Sequence, residues 1–162
     1  MIAFEIETGR FDGYIFVDLL IIRIDNAVFG LDGTPAVKGL VVNAIESMIE
    51  NIERQQRFPG FLQLLSSKPY DTLFAILDDA CWGSGNWRWP GFDVPEPYVF
   101  LALPAATELF DAERAYFFGS TTGRSRIVYK NLRTKIVDEV NIDSIEYLNA
   151  WNMILEKVKS AT

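Results

Sequence analysis

The spacing of apolar residues changes along this chain, and the change limits the folds that the chain can adopt. From Ile2 to Ile6 every second residue is large and apolar, the spacing of a strand with one face on a core. Residues 37–52 instead show intervals of three and four, which predict an amphipathic helix. Strand-like segments then return, and a second helical stripe at residues 145–158 follows them. We therefore predict the α+β class: a mostly antiparallel sheet of about five to six strands, with helices packed mainly on one face.

Turns and apolar runs place the strand-like segments more finely. Residues 14–24 are apolar on both faces, as expected of a central strand, and residues 25–26 form the tight turn of a hairpin. Asp18 lies within this strand, and we interpret it as a hydrogen-bonded buried group or as an edge position. Asp143 and Glu146 have the spacing of a capping box at the start of the last helix. Further strands are predicted at residues 98–103, 115–118, 126–130 and 135–140, with the segment from Gly119 to Gly123 as a hairpin turn.

The length and the cysteine content limit the organisation of the chain and its compartment. Its 162 residues suit a single domain, 1–162. Cys81 is the only cysteine, which excludes an internal disulfide and is typical of a reducing compartment. No run reaches the roughly 18 apolar residues of a membrane span, and the N-terminus lacks the pattern of a secretory signal. We therefore expect a cytoplasmic protein that does not bind membranes.

The chain contains no histidine, and this excludes several kinds of active site. A serine or cysteine nucleophile activated by histidine is impossible, and the usual zinc sites lack their ligands. The adjacent acids Asp78 and Asp79 point about 100° apart on a helix, so they do not converge on one substrate. We therefore expect no catalytic residue, no metal and no cofactor. A small carboxylate-dependent enzyme or ligand-binding domain stays as an alternative, and it requires a pocket where two acids converge.

Negative charge is concentrated in one part of the chain. The whole chain has a net charge of −7, and residues 71–113 alone hold eight acids and one base. This charge opposes binding to nucleic acid and to anionic membranes. Two interpretations stay open: the acids belong to solvated loops, or they form a docking surface for a basic partner.

An irregular segment, residues 80–97, lies inside the acidic region. It has neither the period of a helix nor that of a strand, and it holds three of the four tryptophans. Tryptophan is enriched at the energetic centres of protein interfaces, which are apolar with a charged rim. The alternative is that the rings fold back as a lid on the core. As the partner-binding surface we predict Asp78, Asp79, Trp82, Trp87, Trp89, Phe92, Asp93, Glu96, Glu108, Asp111 and Glu113.

The order of elements resembles that of a known family. The segments that carry the resemblance are MIAFEIE, YIFVDLLIIRIDNAVFGLDG, FLQLLSSKPYDTLFAILDD, RIVYK and IEYLNAWNMILEKV. Together they resemble immunity proteins of bacterial polymorphic-toxin and contact-dependent growth inhibition systems, in particular the group called immunity 42. The aromatic segment at residues 80–97 is not part of that resemblance.

The resemblance implies a function and a partner. Such proteins are cytoplasmic, lack catalytic activity and bind a cognate toxin domain, usually one to one, over its active or target-binding surface. Many of these toxins are nucleases, which are basic because they hold phosphates. We expect this chain to be such an immunity protein, and to be a monomer or a weak homodimer when free. A structural or regulatory subunit of a stable complex is a further alternative.

Overall fold

The computed structural model describes residues 1–84, 87–105, 108–120 and 123–162. The described ranges contain seven strands, and each strand pairs antiparallel with its neighbours. Four α-helices and three short 3₁₀ helices accompany them in the same ranges. The predicted α+β class is confirmed. None of the described helices is long and apolar enough to cross a membrane.

The strands are divided between two sheets. In the first sheet β2 lies between β1 and β3, and β4 pairs with β2; in the second sheet β6 lies between β5 and β7. The strands are β1 (Ile2–Phe11), β2 (Tyr14–Ile24), β3 (Ala27–Phe29), β4 (Ala36–Val37), β5 (Glu113–Gly119), β6 (Arg124–Asn131) and β7 (Val137–Asp143). The helices are α1 (Lys38–Arg54), α2 (Pro59–Ser66), α3 (Tyr70–Trp82) and α4 (Ser144–Ser160), and the 3₁₀ helices are Gln55–Arg57, Pro97–Phe100 and Glu108–Phe110.

Two hydrophobic cores lie on opposite faces of the second sheet. The first core lies among β1, β2, α1, α4 and one face of the second sheet. The second core lies between the other face of that sheet and helices α2 and α3. Successive residues of β5 alternate between the two cores, because side chains of a strand point to opposite faces: Phe117 belongs to the first core and Tyr116 to the second. Helices therefore cover both faces of the second sheet.

Gln55 joins the two cores at the end of α1. Its side chain is fully buried at 0% exposure. The Nε2 amide donates to the carbonyl oxygens of Val99 at 2.8 Å and Phe117 at 3.1 Å. These bonds satisfy buried backbone groups on the segment before β5 and on β5 itself, so they fix the position of both relative to α1.

A β-bulge decides the position of Asp18. The register between β1 and β2 shifts between Glu7 and Thr8, and Asp18 is the extra residue on β2. Because of this extra residue, Val17 and Leu20 are both fully buried, while Asp18 is exposed. The interpretation of Asp18 as a buried group or an edge residue is wrong, since the bulge turns it away from the core.

The predicted strand at residues 98–103 is also wrong. Its first part is the 3₁₀ helix Pro97–Phe100, and Leu101 forms only a single bridge with Tyr116. The adjacent residues Val99 and Phe100 are both fully buried in the second core, and Ala102 and Leu103 are buried in the first, so the apolar character of the segment reflects burial and not pairing in a sheet. The predicted hairpin is formed by β5 and β6, although residues 121 and 122 of its turn lie outside the described ranges.

Asp143 caps α4 as the sequence predicts, but Glu146 has a different partner. The Asp143 carboxylate accepts a hydrogen bond from the backbone N–H of Glu146 at 2.9 Å. Glu146 Oε1 accepts from the backbone N–H of Ile2 at 2.9 Å, not from its own N-cap residue. This contact ties the start of β1 to the start of α4.

Candidate functional site

An exposed tryptophan at the end of α3 is the centre of the candidate site. Trp82 is 57% exposed. The guanidinium carbon of Arg114, on β5, lies 5.2 Å from the centre of its ring, within the range of a cation–π contact. We call this pair the Trp82–Arg114 ridge. The ridge holds an apolar ring at the surface in one orientation.

Asp78 holds Arg114 of the ridge in place by accepting hydrogen bonds from two residues of β5. Arg114 Nη1 donates to the Asp78 carboxylate at 3.1 and 3.2 Å. The hydroxyl of Tyr116 donates to Asp78 Oδ1 at 2.8 Å. Asp78 is one turn before Trp82 on α3, so the carboxylate and the ring lie on the same face of the helix. Helix and strand are thus joined by charge-assisted bonds at the base of the ridge.

Burial determines the protonation of the groups around Asp78. Burial raises the pKa of the Tyr116 phenol well above its ordinary value, and the hydrogen bond to Asp78 raises it further. Burial also raises the pKa of the Cys81 thiol to about 12, with a smaller contribution from the charge of Asp78. Both groups therefore stay protonated at neutral pH, and neither is an activated nucleophile.

A first cavity lies on one side of the ridge and has a volume of about 420 Å³. Leucine, proline and aromatic side chains form much of its wall, and three acids accompany them. Arg114 is the one cation among its described lining residues. The acids are Glu108, Asp111 and Glu113.

Glu113 is the unusual acid of this cavity because it is only 7% exposed. Its carboxylate accepts a hydrogen bond from the backbone N–H of Gly30, while Oε2 has no hydrogen-bond partner among the described residues. Burial raises the pKa of Glu113, and the nearby charge of Asp32 acts in the same direction. The Gly30 bond and the charge of Arg133 oppose this rise. Arg133 itself forms an ion pair with Asp32 at 2.8 Å.

A second cavity of about 380 Å³ lies on the other side of the ridge. It runs between α3 and the strands β6 and β7, and its wall includes Asp71, Asp78 and Asp79. Asp79 Oδ2 accepts a hydrogen bond from the Ser84 hydroxyl at 3.2 Å. The basic residues that line this cavity are Arg114 and Lys130. The two cavities share the ridge, so one partner seated on Trp82 would contact both.

The tryptophans of the aromatic segment lie elsewhere, on the second core. The ring centres of Trp87 and Trp89 are 5.4 and 5.1 Å from that of Phe61, with the edge of one ring against the face of the other. Trp87 Nε1 donates to the carbonyl oxygen of Pro95 at 2.8 Å. Both rings are half-buried, so the interpretation of a lid over the core describes these two residues. Residues 85 and 86 of the segment lie outside the described ranges.

The structure thus separates the predicted surface residues into two groups. The first group lines the two cavities and consists of Asp78, Asp79, Trp82, Glu108, Asp111 and Glu113. The second group lines neither of them and consists of Trp87, Trp89, Phe92, Asp93 and Glu96. Phe92, at 42% exposed, and the exposed acids Asp93 and Glu96 remain accessible to a partner.

Sequence reasoning missed Arg114 and Tyr116, which organise the first group. They lie on β5 at the same face of the strand, one pleat apart, and both bind Asp78 of α3. A local signal existed in the sequence: Arg114 directly follows the acidic region and is the first base after Arg88. Its pairing with Asp78, 36 positions earlier, is a tertiary contact that no spacing rule contains.

The described residues offer no group of three or more histidine, cysteine or acidic side chains placed to hold a metal ion. No family model, no curated protein and no solved structure matches this chain. The site combines a fixed aromatic ring, an apolar wall and carboxylates on both sides.

Proposed function

We propose that this chain is a non-catalytic binding protein that docks a basic protein domain on the Trp82–Arg114 ridge and the two cavities beside it. One observation carries the proposal: a tryptophan that is 57% exposed is held in place by Arg114 between two acid-lined cavities. An exposed ring that is already fixed loses little conformational entropy when a partner covers it.

The geometry supports a protein partner because it provides an anchor and a rim. Tryptophan is among the residues that carry the most binding energy at protein interfaces, above all when neighbouring contacts exclude water from it. Apolar wall residues and peripheral carboxylates around Trp82 provide the apolar centre and polar edge of such an interface.

The charge supports a basic partner. The two cavities are lined by six acids and two bases, and Arg114, one of the bases, is bound to Asp78. A basic protein would be attracted to this surface and would associate faster at low ionic strength, whereas nucleic acid and anionic membranes would be repelled. The resemblance of the sequence to immunity proteins makes a bacterial toxin domain, neutralised in the cytoplasm, the partner that we propose.

The test is binding of the toxin domain encoded next to this chain, with two matched variants. We expect the proteins to co-purify, and calorimetry to show that Trp82→Ala lowers the affinity by about 30-fold or more, the effect of a central aromatic anchor. The control is Phe11→Ala, which removes an aromatic ring that is 74% exposed at the tip of the β1–β2 hairpin. Phe11→Ala should leave the affinity unchanged.

Each result has a distinct meaning. If no toxin domain binds, the proposed function fails. If the toxin binds and Trp82→Ala retains full affinity, the function stands and the placement of the interface is wrong. A loss of affinity in both variants would point to an interface that extends over the hairpin.

A small ligand-binding site, including a carboxylate-dependent enzyme, is the second candidate function. Glu113 favours it, because a buried acid with a raised pKa in a cavity of about 420 Å³ is typical of functional pockets. It would be supported by a small molecule that binds the cavity in the absence of any protein partner. The affinity of that molecule would have to exceed what one side chain of a protein partner could provide in the same cavity.

A further inference from the structure

We propose that the free edge of β1, together with a groove between β1 and α4, is a docking site for an extended, basic segment of a partner protein. The segment would add a strand to the first sheet beside β1. The groove shares no lining residue with the two cavities beside the Trp82–Arg114 ridge. The inference therefore goes beyond the proposed function and does not depend on it.

One edge of β1 is open. In the described part of the chain, β2 is the one strand that pairs with β1. The carbonyl oxygen of Met1 accepts a hydrogen bond from the N–H of Asp25, beside the end of β2, at 3.2 Å. The N–H of Ile2 points away from β2 and donates to Glu146 Oε1 at 2.9 Å. Because these directions alternate along a strand, odd-numbered residues of β1 bond to β2 and even-numbered residues direct their backbone groups to the open side.

This edge lacks common devices that protect the edges of natural sheets. Natural edge strands are often short, or carry lysine or proline. β1 is ten residues long and contains neither residue type. The β-bulge adds its extra residue to β2, so β1 keeps a regular alternation. Glu146 covers the first outward N–H, at Ile2, and the backbone groups of Phe4, Ile6 and Thr8 follow along the open edge.

A groove of about 440 Å³ lies beside the first half of this edge. Its lining residues come from β1, α4 and the last residue of β7, and none comes from β2, so it lies on the open side of β1. Ile2 and Phe4 line it from β1. Ile145 and Met153 line it from α4, and both are more than half exposed although they are apolar. A strand paired with β1 would place every second side chain on this face, next to α4.

The charges of β1 disfavour a second copy of this chain as the occupant. Glu5 and Glu7 lie on the face of β1 opposite to the groove, because side chains alternate along the strand. Among antiparallel registers that pair the outward groups of two copies, the two with the longest overlap are centred on Ile6 and on Glu7. Both place a glutamate of one copy directly opposite a glutamate of the other, which destabilises a strand pair.

The same charges favour a basic segment. Glu5 is paired with Arg23 at 2.9 Å, whereas Glu7 is exposed and forms no ion pair with another described residue. A lysine or arginine opposite Glu7 on the added strand would be attracted to it. On the groove face, Lys157 lies 5.0 Å from the centre of the Phe4 ring and would repel a base. The segment that fits therefore alternates basic side chains on one face with apolar side chains on the other.

The site can be tested on the free, full chain with a short peptide of alternating lysine and valine, blocked at both ends. In an NMR titration we expect saturable shifts of the backbone amides of β1 and of the groove residues of α4, with a dissociation constant on the order of 1 mM. A control peptide with glutamate in place of lysine should bind at least about tenfold more weakly, because its charge is reversed.

A second control peptide tests the backbone pairing. Directly opposite residues share a face of the sheet, so the valines on the groove face are also the residues whose N–H groups point at β1. N-methylvaline in place of valine keeps the apolar and charged side chains and removes these donors. This peptide should show no saturable binding.

Hydrogen exchange of the backbone amides reads the same geometry. In the free chain the amides of Ala3 and Glu5 should exchange slowly, because they bond to β2, and those of Phe4 and Ile6 should exchange fast. At saturating peptide, exchange of the Phe4 and Ile6 amides should slow by about fivefold or more. Slow exchange of these two amides in the free chain would overturn the proposal. If it depends on protein concentration, a second copy occupies the edge, and if not, the chain covers its own edge.

Variants assign the binding to both faces of the added strand. Glu7→Gln and Met153→Ala should each weaken the lysine–valine peptide by about threefold or more. Leu40→Ala is the matched control for Met153→Ala, because Leu40 has a similar exposure on α1 and does not line the groove. It should leave the affinity unchanged, and so should Trp82→Ala.

Each remaining outcome decides for or against the site. Absence of saturable shifts, equal binding of either control peptide, or equal loss in Leu40→Ala would overturn it. Loss of binding in Trp82→Ala would show that the peptide binds the ridge and not the edge of β1, and would also overturn it. If the peptide binds at β1 and no toxin domain binds, the edge site stands and the proposed function fails. If the toxin domain binds and the peptide does not, the proposed function stands and the edge site fails.

Discussion

The two hydrophobic cores of this protein differ in the side chains that fill them. The first core is mainly aliphatic and is formed by regularly spaced residues of β2, α1 and α4 around Trp151. The second core is rich in aromatic rings, and Phe61 meets Trp87, Trp89 and Phe100 with ring centres 5.1 to 6.2 Å apart. Regular helices and strands enclose the first core, whereas the described residues 87–96, which form neither helix nor strand, cover part of the second.

The difference extends to charge and to the candidate site. Residues 71–113, which include all but the first residue of α3, the aromatic segment and the start of β5, account for the whole net charge of −7. The ridge and both acidic cavities are built from this part of the chain together with the following residues of β5, residue Leu132 and strands β6 and β7. The Trp82–Arg114 ridge thus lies on α3 and β5, two regular elements of or beside the acidic region, while the aromatic rings of Trp87 and Trp89 pack on the second core.

The largest effect on stability is expected for tryptophan replacements, and we compare one tryptophan from each core. Trp151→Ala should lower the free energy of unfolding by about 3–5 kcal/mol, because Trp151 is fully buried and its loss leaves a large cavity. Trp87→Ala should cost about 1–3 kcal/mol, because that ring is half-buried and one hydrogen bond is lost with it. Urea denaturation measures both. Equal costs would show that the second core is as essential as the first.

An intermediate effect is expected at the junction of the cores. Gln55→Leu keeps the size of the side chain but leaves the carbonyl oxygens of Val99 and Phe117 without a donor. We expect a loss of about 1–3 kcal/mol in the free energy of unfolding. The matched control is Gln63→Leu at an exposed position of α2, which should change stability by less than about 0.5 kcal/mol. Similar results for both variants would mean that Gln55 does not join the cores.

The smallest expected effect is a pH-dependent gain in stability when Glu113 is replaced by glutamine. The pKa of Glu113 is raised above its ordinary value of 4.5 in the folded chain, so its protonated form is the one that folding favours. As the pH rises above that value, ionisation of the buried Glu113 lowers the stability of the wild type. Glu113→Gln has no carboxyl group to ionise and does not lose this stability. The variant should therefore have the higher urea midpoint at neutral pH, and the difference should vanish in acid below the ordinary pKa.

Other charged groups near Glu113 also influence its pKa. Asp32 and Arg133 act on it in opposite directions, and Glu108, Asp111 and Arg114 line the same cavity. Because these groups are present in both proteins, the comparison of variant with wild type isolates Glu113. Parallel pH profiles would contradict the assignment of Glu113 as a buried acid with a raised pKa.

Elements with a sustained period were predictable from the sequence. The α1 stripe of Val41, Ile45, Met48 and Ile52 is buried as expected, since a period near 3.6 places these residues on one helix face. The hairpin of β5 and β6 and the cap of Asp143 on α4 follow equally local rules. In each case neighbours in sequence decide the structure.

Features that depend on distant partners were not predictable. A single extra residue at Asp18 reverses the faces of β2, and the local apolar pattern does not mark it. The assignment of residues 98–103 failed because an apolar run fits a buried 3₁₀ helix as well as a strand. The separation of Trp82 from Trp87 and Trp89 depends on Phe61, more than 20 positions away in the sequence.

The sequence by itself determined the α+β class, the amphipathic helices, the lack of imidazole chemistry and the concentration of acids in one segment. These are properties of composition and of short-range spacing, which each stretch of chain carries alone. The tertiary structure decided that the strands form two sheets, that Arg114 fixes Trp82 at the surface, and that Glu113 is buried beside an apolar cavity. Those outcomes depend on which distant side chains meet when two cores close on opposite faces of one sheet.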